Sequence, residues 1–462
     1  MKRILFLFSA LLVSLSAIAQ QIGTETPAAA SAPEPATATA PTPASGTTPP
    51  HAPPPAPTPA PARIPAAPPQ AKPPATVKPQ SGKQPEAAPM PAPNPAQPCC
   101  EPAARASAPP PVLAAKSWVL YDYNSGQMLI DEKGDDHIEP AALTKLMTAY
   151  LTFIALREHK LAPTTALTPV DDELQMQKTE ARMYLAAGQS VTVDELLHGL
   201  IVDSGSDAAH VLAKAVAGNE AAFVGQMNQE AQRLGMRDTH FVNASGLPDA
   251  QHYSSAHDLV LLAAAIIRDF PDQYARYSQK EYEYNTIRQS NPNRLLWLDP
   301  TVDGMGTGHA ESAGFCLVAS ALRGQRRLIS VMIGASSDNL RASESQKLLN
   351  YGFQHYQTVR MYQKNQPVTQ LRIWKGTTEQ LAVGFSNDLL ITVPSGQLAQ
   401  LKATLETRQP LSAPITSGQQ IGTMKFTLNG KPYAEYPLVA LDTVPLANVL
   451  SRGWDSLLLL FE

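Results

Sequence analysis

From Ser117 onward the hydrophobic positions fall into runs of period two and runs of period three to four, separated by polar punctuation. SWVLYDYNSGQMLI reads as two short strands around a turn at Asn124-Ser125-Gly126, with order beginning near Lys116. Leu146, Met147, Tyr150 and Phe153 then recur at helical spacing, which predicts a helix from about Leu143 to Leu156. Thr192 and Glu195 form a capping box for a helix through Leu200, and Ser255 with Asp258 offers a similar start for a long apolar helix ending at Asp269-Phe270-Pro271. Period two returns in GFCLVASAL and RRLISVMIGA around the turn Arg323-Gly324-Gln325, followed by a predicted helix from Arg341 to Tyr356. Helices packed on an antiparallel sheet make an α+β fold. After Tyr362, short alternating runs such as LLITVPS and IGTMKFTLNGKPYAEYPLVAL, with the hairpin turn Asn429-Gly430, predict a small all-β domain. The last segment places Val449, Leu450, Trp454, Leu457, Leu458 and Phe461 on one face of an amphipathic helix.

Composition changes the picture for the first quarter of the chain. The 462 residues include 43 prolines, and Gln20 to about Pro111 is dominated by Pro, Ala and Thr, which cannot bury a core. That stretch reads as an extended, partly polyproline spacer. Before it, Lys2 and Arg3 precede an apolar run from Ile4 to Leu15 and the small-residue site Ala17-Ile18-Ala19, the pattern of a cleaved export signal. The predicted organisation is therefore 1–19 signal peptide, 20–112 linker, 113–360 α+β domain, 361–445 β-domain and 446–462 terminal helix. A formal charge of -4 without a basic block excludes a nucleic-acid track. Three cysteines are too few for a disulfide framework: Cys99-Cys100 lie in the proline-rich tract, and Cys316 reads as a buried small hydrophobe. No motif implies a metal or an organic cofactor.

Candidate chemistry lies in five segments: EPAALTKLMTAYL, LLHGLIVDSGSDAAHVLAKAVAG, FVNASGLPDAQHYSSAHDLVLLAAAIIRDFP, VDGMGTGHAESAGFCLVASA and RRLISVMIGASSDNLRASESQKLLNYGF. In order and approximate spacing they resemble the D-alanyl-D-alanine carboxypeptidase family, the low-molecular-mass penicillin-binding proteins of serine peptidase type. The resemblance runs from Val119 to the end. It implies a penicillin-binding/β-lactamase-like transpeptidase domain followed by the β-domain. In that family a Ser-x-x-Lys turn opens a helix so that the lysine amine sits beside the serine oxygen, a Ser-x-Asn element faces it, and a Lys-Thr-Gly strand supplies a cation and an oxyanion-hole N–H.

This chain departs once in each motif. Ala142 stands at the nucleophile position, while Lys145 keeps the general-base position. Ser204 keeps the proton-relay position, and Ser206 replaces the asparagine with one polar atom on a shorter reach. Gly306 replaces the lysine of the third motif; Thr307, Gly308 and His309 follow as the substrate-binding run. A lone alanine at a helix start or a lone GTG turn is uninformative; their coincidence at three motif positions carries the reading. His309, Arg327 and Arg288 are candidate carboxylate partners, and Lys145 a candidate structural lysine bonded to Ser204.

The resemblance with these losses implies a non-enzymatic envelope protein of the periplasm that binds the peptidoglycan stem peptide weakly, or organises cell-wall enzymes. The terminal helix would lie on the inner-membrane surface. The rival reading is an active carboxypeptidase that trims the terminal D-alanine with Ser204 or Thr144 as nucleophile. A third makes the β-domain and terminal helix the working parts.

Overall fold

The computed structural model describes residues 108–458 except 178, 179 and 408. The export signal, most of the linker, Cys99-Cys100 and Phe461 lie outside the described residues.

The first domain is built on a five-stranded antiparallel sheet. β1 (Ser117–Asp122) and β2 (Gln127–Glu132) form the predicted hairpin at one edge, and Gly126 turns it with a positive φ of 73°. β1 then pairs with Arg326–Ala335, which pairs with Gly314–Arg323, which pairs with Val302–Ala310 at the far edge. Successive side chains serve opposite faces. Val119, Val318, Ile329, Val331 and Ile333 join the core formed with the helices of one side, whereas Leu120, Leu317, Leu328 and Met332 join a second core under the helix Asp338–His355. A sheet covered on both faces explains why these strands read as continuous apolar runs.

The helical side contains α1 (Lys145–Arg157), α2 (Val193–Ile201), α3 (Ser206–Ala217), α4 (Glu220–Leu234) and α5 (Ala256–Asp269). α1 is buried nearly all round, with Leu146, Met147, Tyr150 and Phe153 at most 3% exposed, so its pattern is that of a central core helix. One turn of 3₁₀ helix, Ala141–Thr144, precedes it. The capping box at Thr192 is complete: the Glu195 amide donates to Thr192 Oγ1 and the Thr192 amide to the Glu195 carboxylate. At Ser255 only half of the box forms. The Asp258 amide donates to Ser255 Oγ, but the Asp258 carboxylate accepts instead from the Asp238 amide and Thr239 Oγ1. The helix predicted from Arg341 begins earlier, at Asp338, because Ser337 caps it through the Leu340 amide.

The strand Tyr356–Tyr362 pairs with Leu389–Pro394, and six further strands form the second sheet, whose longest hairpin turns at Asn429-Gly430, both with positive φ. Cys316 is buried, and burial pushes its thiol up to about 11. The helix Val449–Leu458 ends the described chain, and no described helix is long and apolar enough to cross a membrane.

Candidate active site

The site forms where the first turn of α1, the α2–α3 connection and the edge strand Val302–Ala310 meet. Chain geometry enforces that meeting. Ala141 adopts φ 48°, and its carbonyl packs so closely on Gly246 that an added Cβ there would lie 1.8 Å from it. Gly308 is constrained in the same way but less severely, since a Cβ would stand 2.9 Å from the Pro140 carbonyl oxygen. Glycine at both positions lets the 3₁₀ turn be clamped between a loop and the strand.

A small cleft of about 20 Å³ opens at this junction, lined among others by Ala142, Lys145, Ser204, Gly306 and Thr307. Five of the eight positions singled out from sequence therefore face one space. Ser206 is buried at the start of α3, where its amide donates to the Ala181 carbonyl. Gly308 is buried against the turn, and His309 is exposed with its ring 4.1 Å from that of Phe315.

Lys145 Nζ donates to the Ser204 carbonyl at 2.6 Å and lies 3.4 Å from Ser204 Oγ. Ser204 holds a left-handed backbone, φ 55°, which turns both oxygens toward the lysine. Burial pulls the Lys145 amine down to about 8, against the opposing pull of the Glu180 and Asp207 carboxylates. The Asp207 carboxylate is itself occupied, accepting from the amides of Met183, Leu185 and Ala208. Its neighbour Asp203 is buried, and burial together with Asp207 pushes its carboxyl up to about 7, against the opposing pull of Gln289. Thr144 points elsewhere: its hydroxyl is fully buried and bonded to His252 Nε2 at 2.8 Å. The Val242 amide donates to the other ring nitrogen of His252, so Nε2 carries the proton and Thr144 accepts it.

Two of the three candidate carboxylate partners are committed to other groups. Arg327 makes a two-pronged ion pair with Asp303 and donates to Ser320 Oγ, and Arg288 pairs with Glu281 on the hairpin Glu281–Tyr284/Ile287–Ser290. Sequence gave no sign of two other residues that border the site. The buried Arg341 guanidinium lies behind the motif strand and donates to the Gly308 carbonyl at 3.1 Å. Tyr277 lines the cleft with its buried hydroxyl lacking a hydrogen-bond partner among the described residues, and burial raises its pKa well above the usual tyrosine range. Both come from segments remote in sequence, so no local pattern marks them. Among the described residues no group of three or more His, Cys, Asp and Glu side chains gathers as a metal site.

A helix-start turn with its lysine directed at a Ser-x-x element, closed by the edge strand of an antiparallel sheet, is the arrangement of the serine acyl-transfer enzymes that recognise penicillin. Residues 103–337 match the family described as D-alanyl-D-alanine carboxypeptidase, and residues 356–446 match the C-terminal domain of penicillin-binding protein 5. The chain belongs to the D-alanyl-D-alanine carboxypeptidase family. It is 39% identical over 366 residues to D-alanyl-D-alanine carboxypeptidase DacC of Escherichia coli, covering 78% of this chain and 92% of that one. It is 40% identical over 357 residues to the DacD enzyme of the same organism, covering 76% and 92%. Among solved structures, penicillin binding protein 5 from Haemophilus influenzae superposes with a TM-score of 0.71 at 37% identity, covering 73% of this chain and 99% of that one.

Proposed function

We propose that this chain is a catalytically silent member of its family, which binds the peptidoglycan stem peptide weakly, or organises cell-wall enzymes, without hydrolysing the peptide. The observation that carries the reading is the side chain of Ala142: at the mouth of the cleft beside the base Lys145 stands a methyl group. A methyl has no lone pair to attack a carbonyl and no proton for the lysine to remove. The lysine is satisfied by Ser204 instead, which matches a structural role. Gly306 leaves the strand without the cation that would hold a terminal carboxylate, so binding is weak. Recognition of a peptide carbonyl rests on main-chain N–H groups at Ala142 and His309, which do not depend on side chains, and the unpaired Tyr277 hydroxyl adds a donor that gains from a polar ligand.

One contact favours the rival reading. Ser204 Oγ is 3.4 Å from Lys145 Nζ, so a serine and a base remain within reach. Against it, the lysine's shorter bond is to the Ser204 carbonyl, at 2.6 Å. The family and the leader-like first residues support a periplasmic location, in which the exposed apolar face of Val449–Leu458 rests on the inner-membrane surface. Fluorescent penicillin followed by denaturation and peptide mapping tests the chemistry. No label on any serine or threonine is expected; a stable adduct on Ser204 would establish the rival mechanism.

A further inference from the structure

A second cavity, separate from the cleft and far larger, opens at the junction of the two domains with a volume of about 380 Å³. Residues 123–126 of the β1–β2 turn form one side, and residues 385–390, leading into the strand Leu389–Pro394, form another. Tyr436, Pro437 and Val439 of the strand Lys431–Ala440 complete it. That volume lies within the roughly 300–1,000 Å³ of small-molecule sites, which favour domain junctions.

The frame is held by its own bonds. Asn124 donates to the Gln325 carbonyl and accepts from the Arg327 amide, and Ser125 Oγ bonds to Thr392 Oγ1. The Asp388 carboxylate accepts from the Lys364 amide and pairs with Arg360. Asp388 is the charged member among the described lining residues, and Arg360 offsets it. Three polar side chains of the wall are left over: the Tyr123 hydroxyl, Ser386 and Asn387 make no hydrogen bond to another described residue. Leu390, Pro437 and Val439, each half-buried, add apolar surface to the same cavity.

We propose that this cavity binds a neutral sugar, an N-acetylhexosamine unit of a glycan chain. With its one carboxylate already paired, the cavity holds no free charge to compensate an ionic ligand, and its remaining valences are hydroxyls and a carboxamide. A pyranose ring is the complement of such a wall: it carries hydroxyls around its edge and C–H groups on its faces. The edge pairs with Tyr123, Ser386 and Asn387, and a face packs on the apolar surface. An acetamido substituent adds a carbonyl and an N–H, both of which the carboxamide of Asn387 is able to match, and a methyl group for the apolar wall. Because the turns are already bonded in place, binding orders little of the chain. Ser386 and Asn387 are exposed, so the sugars on either side of the bound unit extend into solvent. The assignment concerns the domain junction alone and stands whether or not the Ala142 cleft is catalytic.

The test titrates the full chain by calorimetry with triacetylchitotriose, and with maltotriose as a neutral trisaccharide that lacks the acetamido group. Triacetylchitotriose is expected to bind with a Kd on the order of 1 mM or tighter, and maltotriose several-fold more weakly. Asn387→Ala, at an exposed turn position, should weaken binding about three- to tenfold through the loss of its hydrogen bonds. Ser386→Trp, which fills the cavity from the same exposed turn, should abolish binding while thermal unfolding stays unchanged. Three results overturn the proposal: no binding of triacetylchitotriose at concentrations about tenfold above that Kd, equal affinity for maltotriose, or binding that neither substitution alters, which would put the sugar elsewhere on the molecule.

Discussion

Lysine at position 306 would ask little of the backbone. Gly306 has no left-handed φ, and an added Cβ would meet side chains alone, 3.3 Å from Cδ2 of the buried Leu146, which would have to give slightly, and 3.7 Å from Cδ2 of Leu143. The strand backbone itself therefore does not demand glycine at this position. Ser206 has the same character at the first position of α3, where its amide, not its side chain, ties it to Ala181. Ala142→Ser alone should permit slow acylation at best, because catalytic groups that act as a unit are strongly non-additive. In a serine protease single losses cost on the order of 10⁴ to 10⁶ in rate. The triple change Ala142→Ser, Ser206→Asn, Gly306→Lys should recover far more than the product of the three single changes, measured as penicillin acylation rate. Full activity from Ala142→Ser alone would show that residues 206 and 306 are tolerated variants.

At the scale of elements, the terminal helix makes the clearest separation between tether and face. The segment before it is fixed to the β-domain, where Leu446 bridges to Gly376 and the Ala447 amide donates to the Lys375 carbonyl, and the helix itself adds a bond from the Lys375 amide to the Asp455 carboxylate. The apolar face is left open, with Leu450 87% and Trp454 64% exposed. These side chains are therefore not packed on the β-domain. Attachment to a bilayer would then rest on apolar area, since Arg452 is offset by Asp455. Deleting residues 449–462, which spares the pairing at Leu446 and Ala447, should abolish co-sedimentation with phospholipid vesicles and leave the thermal unfolding of the rest unchanged. Vesicle binding that survives the deletion, or a truncated protein that aggregates, contradicts the assignment. The helix was legible because its periodicity is local, as were the β1–β2 hairpin, the Thr192 capping box and the Asn429-Gly430 turn. The first turn of α1 was less so: its 3₁₀ geometry depends on Gly246 and Gly308, which press on Ala141 and Pro140 from over a hundred residues away. Arg341, Tyr277 and the burial of Asp203 escaped for the same reason, because each acquires its role from packing between distant segments.

Across the whole molecule, the two domains are joined through buried and half-buried polar groups around Asp122 and Thr392. Asp122, at the end of β1, accepts from Arg326 at 2.8 Å and from Thr358 Oγ1 of the second domain; Ser125 and Gln127 bond to Thr392 there. A buried charge held this way is stable only with its partners in place, so the domains are built as a pair and the scaffold is intact. The three departures read from the family motifs are Ala142 and Gly306 at the cleft and Ser206 buried at the start of α3. The family frame, the clamped turn and the lysine are present, and on the reading proposed above the nucleophile, the amide and the cation are the groups lost. Release of D-alanine from a pentapeptide ending in D-alanyl-D-alanine, followed with the full chain over many equivalents of substrate, therefore tests the central claim directly. The expected result is no release above the rate without protein; sustained turnover would show that another group has taken over the work of a serine at position 142.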